Sequence, residues 1–234
     1  MLPQIVDLPL RHCYSDVLRY LGYRPDKTEL NSTVRDLLEQ CQQSFQTIAK
    51  PRGIYRSGKL KEFALENCWG SRDLERLLGT ATRATLLAAT LGPEVDAQID
   101  CLFASGDYAQ AVVWDALGSD AAEQAMQSLY ELVNQEVYRQ GYVLTARFSP
   151  GYGDLALQQQ PRLHQLVSGA AIGIAVTPKH LLLPRKSVTA IAGWLTTDAT
   201  KPDSSSNLAC ATCALRSCQY RCRGANEEVS DETR

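Results

Sequence analysis

The chain predicts an α+β domain, because helix-period apolar patterns dominate about residues 1–140 and β-prone runs follow Gly141. A dense cysteine cluster stands apart near the C-terminus as an appended tail. Taken in order, Ser15 to Leu21 reads as a short helix closed by Gly22. Residues 33 to 49 place Val34, Leu37, Leu38, Cys41, Phe45 and Ile48 at helical spacing. Thr33 and Asp36 resemble a capping box at the start of that helix, and Lys50-Pro51 ends it. Leu86 to Gly92 fits either a buried strand or the entry to the next helix.

From Asp107 to Tyr138 the pattern is helical, with Ala122, Met126, Leu129, Val133 and Val137 on one face. Gly118 predicts a break into two helices. Trp114 and Met126 fall on apolar helix faces and belong in the core. Tyr142 to Ala146 reads as a strand, and Leu181 to Leu183 and Ser187 to Ile191 add β-prone segments on either side of Pro184.

With 234 residues, 44% of them hydrophobic, there is material for one large domain plus an appended element. A formal net charge of -2 excludes the broad basic surface that would attract nucleic acid or anionic lipid. No run reaches the roughly 18 apolar residues needed to span a bilayer, and the N-terminus has no positively charged leader, so the expected location is cytoplasmic, without membrane. Cys13, Cys41, Cys68 and Cys101 are scattered and read as buried thiols, whereas Cys210, Cys213, Cys218 and Cys222 crowd together. Residues 1–197 then form the domain, with its strand-rich part at about 141–197; 198–209 form a polar linker, 210–223 the cysteine cluster, and 224–234 a tail expected to be disordered.

The segment Arg147-Phe-Ser-Pro-Gly-Tyr-Gly-Asp154 follows a predicted strand and gathers a permanent cation, a hydroxyl, two glycines, a proline and an aromatic ring. Pro150 and Gly151 favour a tight turn that lets backbone approach a ligand, and Arg147 can hold a carboxylate in a bidentate fork. By local physics alone it reads more readily as a surface turn.

This segment resembles the Arg-Pro-Ala-Pro-Gly-Tyr signature of the activation domain of cobalamin-dependent methionine synthase. Asp115 to Glu123 is similar to the family's preceding helix, and Leu183-Pro-Arg-Lys-Ser-Val-Thr-Ala-Ile-Ala-Gly193 to its downstream Pro-x-x-Ser-Val strand, so the resemblance runs over roughly residues 107 to 194. Val17 to Tyr23 and Leu87 to Asp96 look like the free-standing, single-domain form. The resemblance implies a twisted antiparallel sheet flanked by helices, an S-adenosylmethionine site, and work beside a protein that holds cobalamin. That partner would be a methionine synthase or another corrinoid protein, reactivated in trans by reductive methylation, with a flavodoxin or ferredoxin-type electron donor.

Carried over, Arg147 would hold the donor's carboxylate, Ser149 and Gly151 would offer backbone contacts, Tyr152 would lie against the ligand, and Glu123 would supply an acidic contact from the helix. No general acid or base is implied, because methyl transfer to a cobalt nucleophile depends on orientation and exclusion of water. Phe148 and Ser149 depart from the family's Pro-Ala, and Gly153-Asp154 from its Pro-Ala. Asp154 either stabilises the turn or contacts ligand. Arg185 and Lys186 either face the partner or a cobalamin phosphate, or are solvated loop charges.

Cys210, Cys213, Cys218 and Cys222 follow a Cys-x2-Cys-x4-Cys-x3-Cys spacing whose thiolates can converge on zinc or an iron-sulfur cluster. An electron relay beside the cobalt favours the cluster; zinc and reversible disulfides are the other readings. His12, His164 and His180 lie far apart, outside any Asp-x-His-x-x-Gly motif, and read as structural or exposed. The rival functional reading is a metal-bearing interaction or assembly protein with no part in methyl transfer.

Overall fold

The computed structural model describes residues 2–24 and 28–197; the linker at 198–209, the four clustered cysteines and the tail at 224–234 lie outside the described residues. Five strands form an antiparallel sheet: β1 (Gln4–Asp7), β2 (Arg52–Lys59), β3 (Arg83–Thr90), β4 (Tyr142–Leu144) and β7 (Ser187–Thr196). Their spatial order is β1-β2-β3-β7-β4. A two-stranded hairpin, β5 (Ala175–Val176) and β6 (Leu182–Leu183), stands beside it.

The segment around Leu86, which fits strand or helix by periodicity, is the central strand β3, buried from Ala84 to Thr90. Its alternation divides the core. Ala84, Leu86 and Ala88 join Ile54 and Ile191 on one face, while Leu87 and Ala89 join Tyr55, Ala190, Ala192 and Trp194 on the other. Both faces are covered, so the strand reads as a continuous apolar run.

The second face is covered by α1 (Tyr14–Tyr20), α2 (Ser32–Ile48), α4 (Pro93–Ala104) and α5 (Tyr108–Tyr138). The first is covered by α3 (Arg72–Leu78) and α6 (Gln160–Val167). Ala122, Met126, Leu129, Val133 and Val137 are all buried, as their spacing requires, and so is Trp114. Helix α2 starts earlier than the Thr33/Asp36 reading: Asn31 is its cap, and its side-chain oxygen accepts from the Val34 N–H at 2.9 Å.

Gly118 does not break the long helix, which runs uninterrupted for 31 residues. A Cβ there would stand 3.0 Å from Lys186 Cε and 3.1 Å from its Cγ, so the glycine makes room for a lysine stem laid across the helix. The Lys186 ammonium donates to the Asp115 carbonyl at 3.0 Å, the Asp115 carboxylate at 2.8 Å and the Ser119 hydroxyl at 2.9 Å. Arg185 donates to Asp100 at 2.6 Å and pairs with Asp96 at 3.5 Å. Lys186, its side chain only 10% exposed, is engaged within the fold, which corrects its reading as a solvated charge or a contact for a partner's phosphate; Arg185 is paired as well but stays 47% exposed.

The sheet also begins earlier than the β-prone runs indicate, since β1, β2 and β3 all precede Leu91. Among the scattered thiols, Cys41 and Cys68 are buried, Cys13 is half-buried and Cys101 is exposed. Among the described residues no helix is long and apolar enough to cross a membrane.

Candidate functional site

After β4 the chain leaves the edge of the sheet and returns to β7 through a single bridge, in which Phe148 and Ile191 exchange N–H to carbonyl bonds of 2.9 and 2.8 Å. Arg147 and Ser149 flank that bridge. The Ser149 hydroxyl donates to the Thr189 carbonyl at 2.6 Å, and Thr189 is itself held by the buried Gln160 side chain at 2.7 Å. The following turn closes on itself: the Gly151 N–H donates to the Leu155 carbonyl at 2.8 Å, and the Tyr152 N–H to the Ser149 carbonyl at 3.0 Å. Gly151 has φ +93° and Gly153 φ +49°, values that an L side chain resists. Tyr152 is 44% exposed, with its ring edge-on to Phe148 at 6.1 Å.

Arg147 and Glu123, assigned from separate segments, come together with 3.5 Å between guanidinium and carboxylate. Their side chains are 22% and 40% exposed, so both stay within reach of a ligand. Asp154 does not point to a ligand: it caps α3. Its carboxylate accepts from the Ser71 hydroxyl, the Arg72 N–H at 2.9 Å and the Asp73 N–H at 3.2 Å. These donors, the Ser71 hydroxyl foremost, hold its carboxyl below the usual aspartate range.

Several neighbours were not singled out in the sequence. Tyr130 lies two helical turns from Glu123 on α5, and its hydroxyl donates to the carbonyls of Thr145 at 3.0 Å and Leu144 at 3.3 Å, just before Arg147. Burial pushes the Tyr130 phenol up, and the Arg147 cation opposes that shift. From α1, Tyr20 is pushed up by burial and then by the Glu123 charge, and the Arg19 guanidinium sits 4.9 Å from its ring centre. Helix α1 is seated by a buried pair one turn before Glu123, where Asp120 lies 3.1 Å from His12 Nδ1 and accepts from the Cys13 N–H at 3.0 Å. Asp120, Glu123 and Tyr130 share α5 with Asp115, Gln124, Gln127, Glu131 and Asn134, so their spacing along the chain does not mark them out.

One guanidinium and one carboxylate thus meet beside a glycine turn, with the Tyr20 phenol under the influence of the Glu123 charge and the Tyr130 phenol under that of Arg147. Such a set suits a small zwitterion carrying an aromatic or cationic group. Among the described residues no three His, Cys, Asp or Glu side chains gather to hold a metal ion, and the four clustered cysteines lie outside them.

In class this is an α+β domain whose antiparallel sheet has helices on both faces and whose charged turn lies between β4 and β7. Among solved structures it is similar to a crystal structure of the MetH reactivation domain bound to AdoHcy, with TM-score 0.57 and 16% identity, over 87% of this chain and 81% of that one. At that identity the likeness establishes the fold. No family model matches the chain, and no curated protein does either.

Proposed function

We propose that this protein binds S-adenosylmethionine at Glu123, Arg147, Ser149, Gly151 and Tyr152, and supports in trans the reductive methylation of cobalamin held by a separate methionine synthase or other corrinoid protein. The observation that carries the reading is the Arg147–Glu123 pair, 3.5 Å apart beside the glycine turn. It stands on a fold shared with a domain crystallised with AdoHcy, the demethylated form of the same donor.

In this reading the free part of the Arg147 fork takes the ligand carboxylate, and Glu123 takes its ammonium. Ligand contacts from the turn fall to the Ser149 N–H and the Gly151 carbonyl, since the Ser149 carbonyl and Gly151 N–H close the turn itself. Tyr152 and Tyr20 supply ring faces. S-adenosylmethionine supplies an electrophilic methyl group, so the chain's residues orient the donor and exclude water without moving a proton.

The test is to add the protein to a corrinoid methyltransferase that lacks its own reactivation domain and has been oxidised to the inactive cob(II) state. With a flavodoxin or ferredoxin-type reductant and S-adenosylmethionine, activity returns with wild type and not with Arg147→Ala. Failure of wild type across methionine synthase and other corrinoid clients would overturn the reading.

The same reading gives Cys210, Cys213, Cys218 and Cys222 an iron-sulfur cluster that passes the electron, with zinc as the alternative; the support is their spacing in the sequence. Anaerobic purification is expected to yield a brown, iron-containing protein. A colourless preparation with stoichiometric zinc would decide for the alternative.

A further inference from the structure

The turn that carries the proposed ligand contacts is strapped at both ends. On its N-terminal side, Phe148 and Ser149 are bonded to β7. On its C-terminal side, Asp154 reaches a part of the chain about eighty residues earlier: one carboxylate oxygen accepts from the Ser71 hydroxyl and the Asp73 N–H, and the other from the Arg72 N–H. The contact is reciprocal, because the Asp154 N–H donates to the Asp73 carboxylate at 3.3 Å. Ser71 is in turn the cap of α3, accepting from the Leu74 N–H at 3.0 Å. Between the straps lie the two glycines at positive φ, whose freedom would otherwise let the turn sample many shapes.

We propose that Asp154 is a positioning residue that couples the ligand turn to the first turn of α3. Order at Ser149 to Tyr152 and order at Arg72 to Leu74 then rise and fall together. The proposal rests on the ligand-binding reading above and adds to it a residue that touches no ligand. The physical basis is preorganisation: a turn held in its binding shape loses less conformational freedom when it meets a ligand. An aspartate suits the post because its two oxygens match helix N–H groups that have no partner within the helix. Because Arg72 and Asp73 donate to Asp154, their amides report directly on whether the strap is closed.

The experiment uses the full chain with S-adenosylmethionine as probe, calorimetry for affinity and residue-resolved hydrogen exchange for the strap. In wild type, ligand is expected to slow exchange at the Arg72 and Asp73 amides. Asp154→Ala is expected to weaken binding about tenfold, the scale of one lost charge-assisted contact, and to abolish that slowing while Arg147 and Glu123 stay in place. Asp154→Asn, which keeps the oxygen facing Ser71 and Asp73, should fall between. If Asp154→Ala fails to fold, the asparagine variant and the wild-type exchange data decide. Wild-type affinity in Asp154→Asn and Asp154→Ala, with ligand leaving the Arg72 and Asp73 amides unchanged, would overturn the coupling and leave the functional reading standing. No binding by wild type would overturn that reading and the coupling with it.

Discussion

A guanidinium that meets one carboxylate through a single nitrogen keeps the rest of its donor fork for another, and Arg147 is placed that way beside Glu123. Glu123 acts on two neighbours at once, as partner to Arg147 and as a charge that raises the Tyr20 phenol. Glu123→Gln is therefore expected to weaken S-adenosylmethionine binding by about three- to tenfold, the range for losing the charge from one contact. The same change should lower the pH at which Tyr20 ionises, because a nearby negative charge that disfavoured phenolate is gone. Ultraviolet titration of the variant against wild type and a Tyr20→Phe control checks this, and an unmoved Tyr20 transition would place Glu123 elsewhere. At this scale the sequence was informative for the motif but silent on its setting. Arg147 and Tyr152 stand out as residue types, whereas Tyr20 and Asp120 matter only because α1 lies against α5.

Helix α5 illustrates how packing overrides local preference. Glycine is about 1 kcal/mol worse than alanine inside a helix, which made a break at Gly118 the natural expectation. The Lys186 stem against that position reverses the balance. Gly118→Ala is accordingly expected to destabilise wild type by about 1 kcal/mol through crowding against a lysine pinned at its ammonium. In a Lys186→Ala background it should instead stabilise by about 1 kcal/mol, as helix propensity alone demands. Denaturant unfolding of the four proteins measures the cycle, and the same sign in both backgrounds would contradict it. Strand β2 departs from its local preference for a related reason. Arg52-Gly-Ile-Tyr-Arg-Ser-Gly-Lys59 carries two glycines and three cations, poor strand formers, yet it pairs along its whole length with β3. Its strand state comes from that partner and from the helices above it, which a local window does not contain.

For the molecule as a whole, a sheet covered on both faces buries titratable groups in their neutral forms. Burial and then the Asp107 charge push the Cys41 thiol up to about 11, and burial also raises the phenols of Tyr20, Tyr55 and Tyr130. Groups whose native values are raised support the fold fully below their unfolded values, about 8.5 for a thiol and about 10 for a phenol, and that support is lost as pH rises toward the native values. The Cys41 thiol is expected to make thermal stability independent of pH near neutrality and to make it fall as pH rises from about 9 to 11, with a shallower fall in Cys41→Ala relative to its own neutral value. The α+β class and the order of the motifs were legible because they depend on patterns along the chain. The strand order and the meeting of α1, α5 and the turn depend on long-range pairing, and only the fold supplies them. The central claim, that this assembly holds S-adenosylmethionine between Arg147 and Glu123, is tested most directly by isothermal titration calorimetry of that ligand into wild type and Arg147→Ala. The account predicts one site per chain in wild type and a loss of about ten- to a hundredfold in affinity in the variant; no heat of binding in wild type, or equal affinity in both, would contradict it.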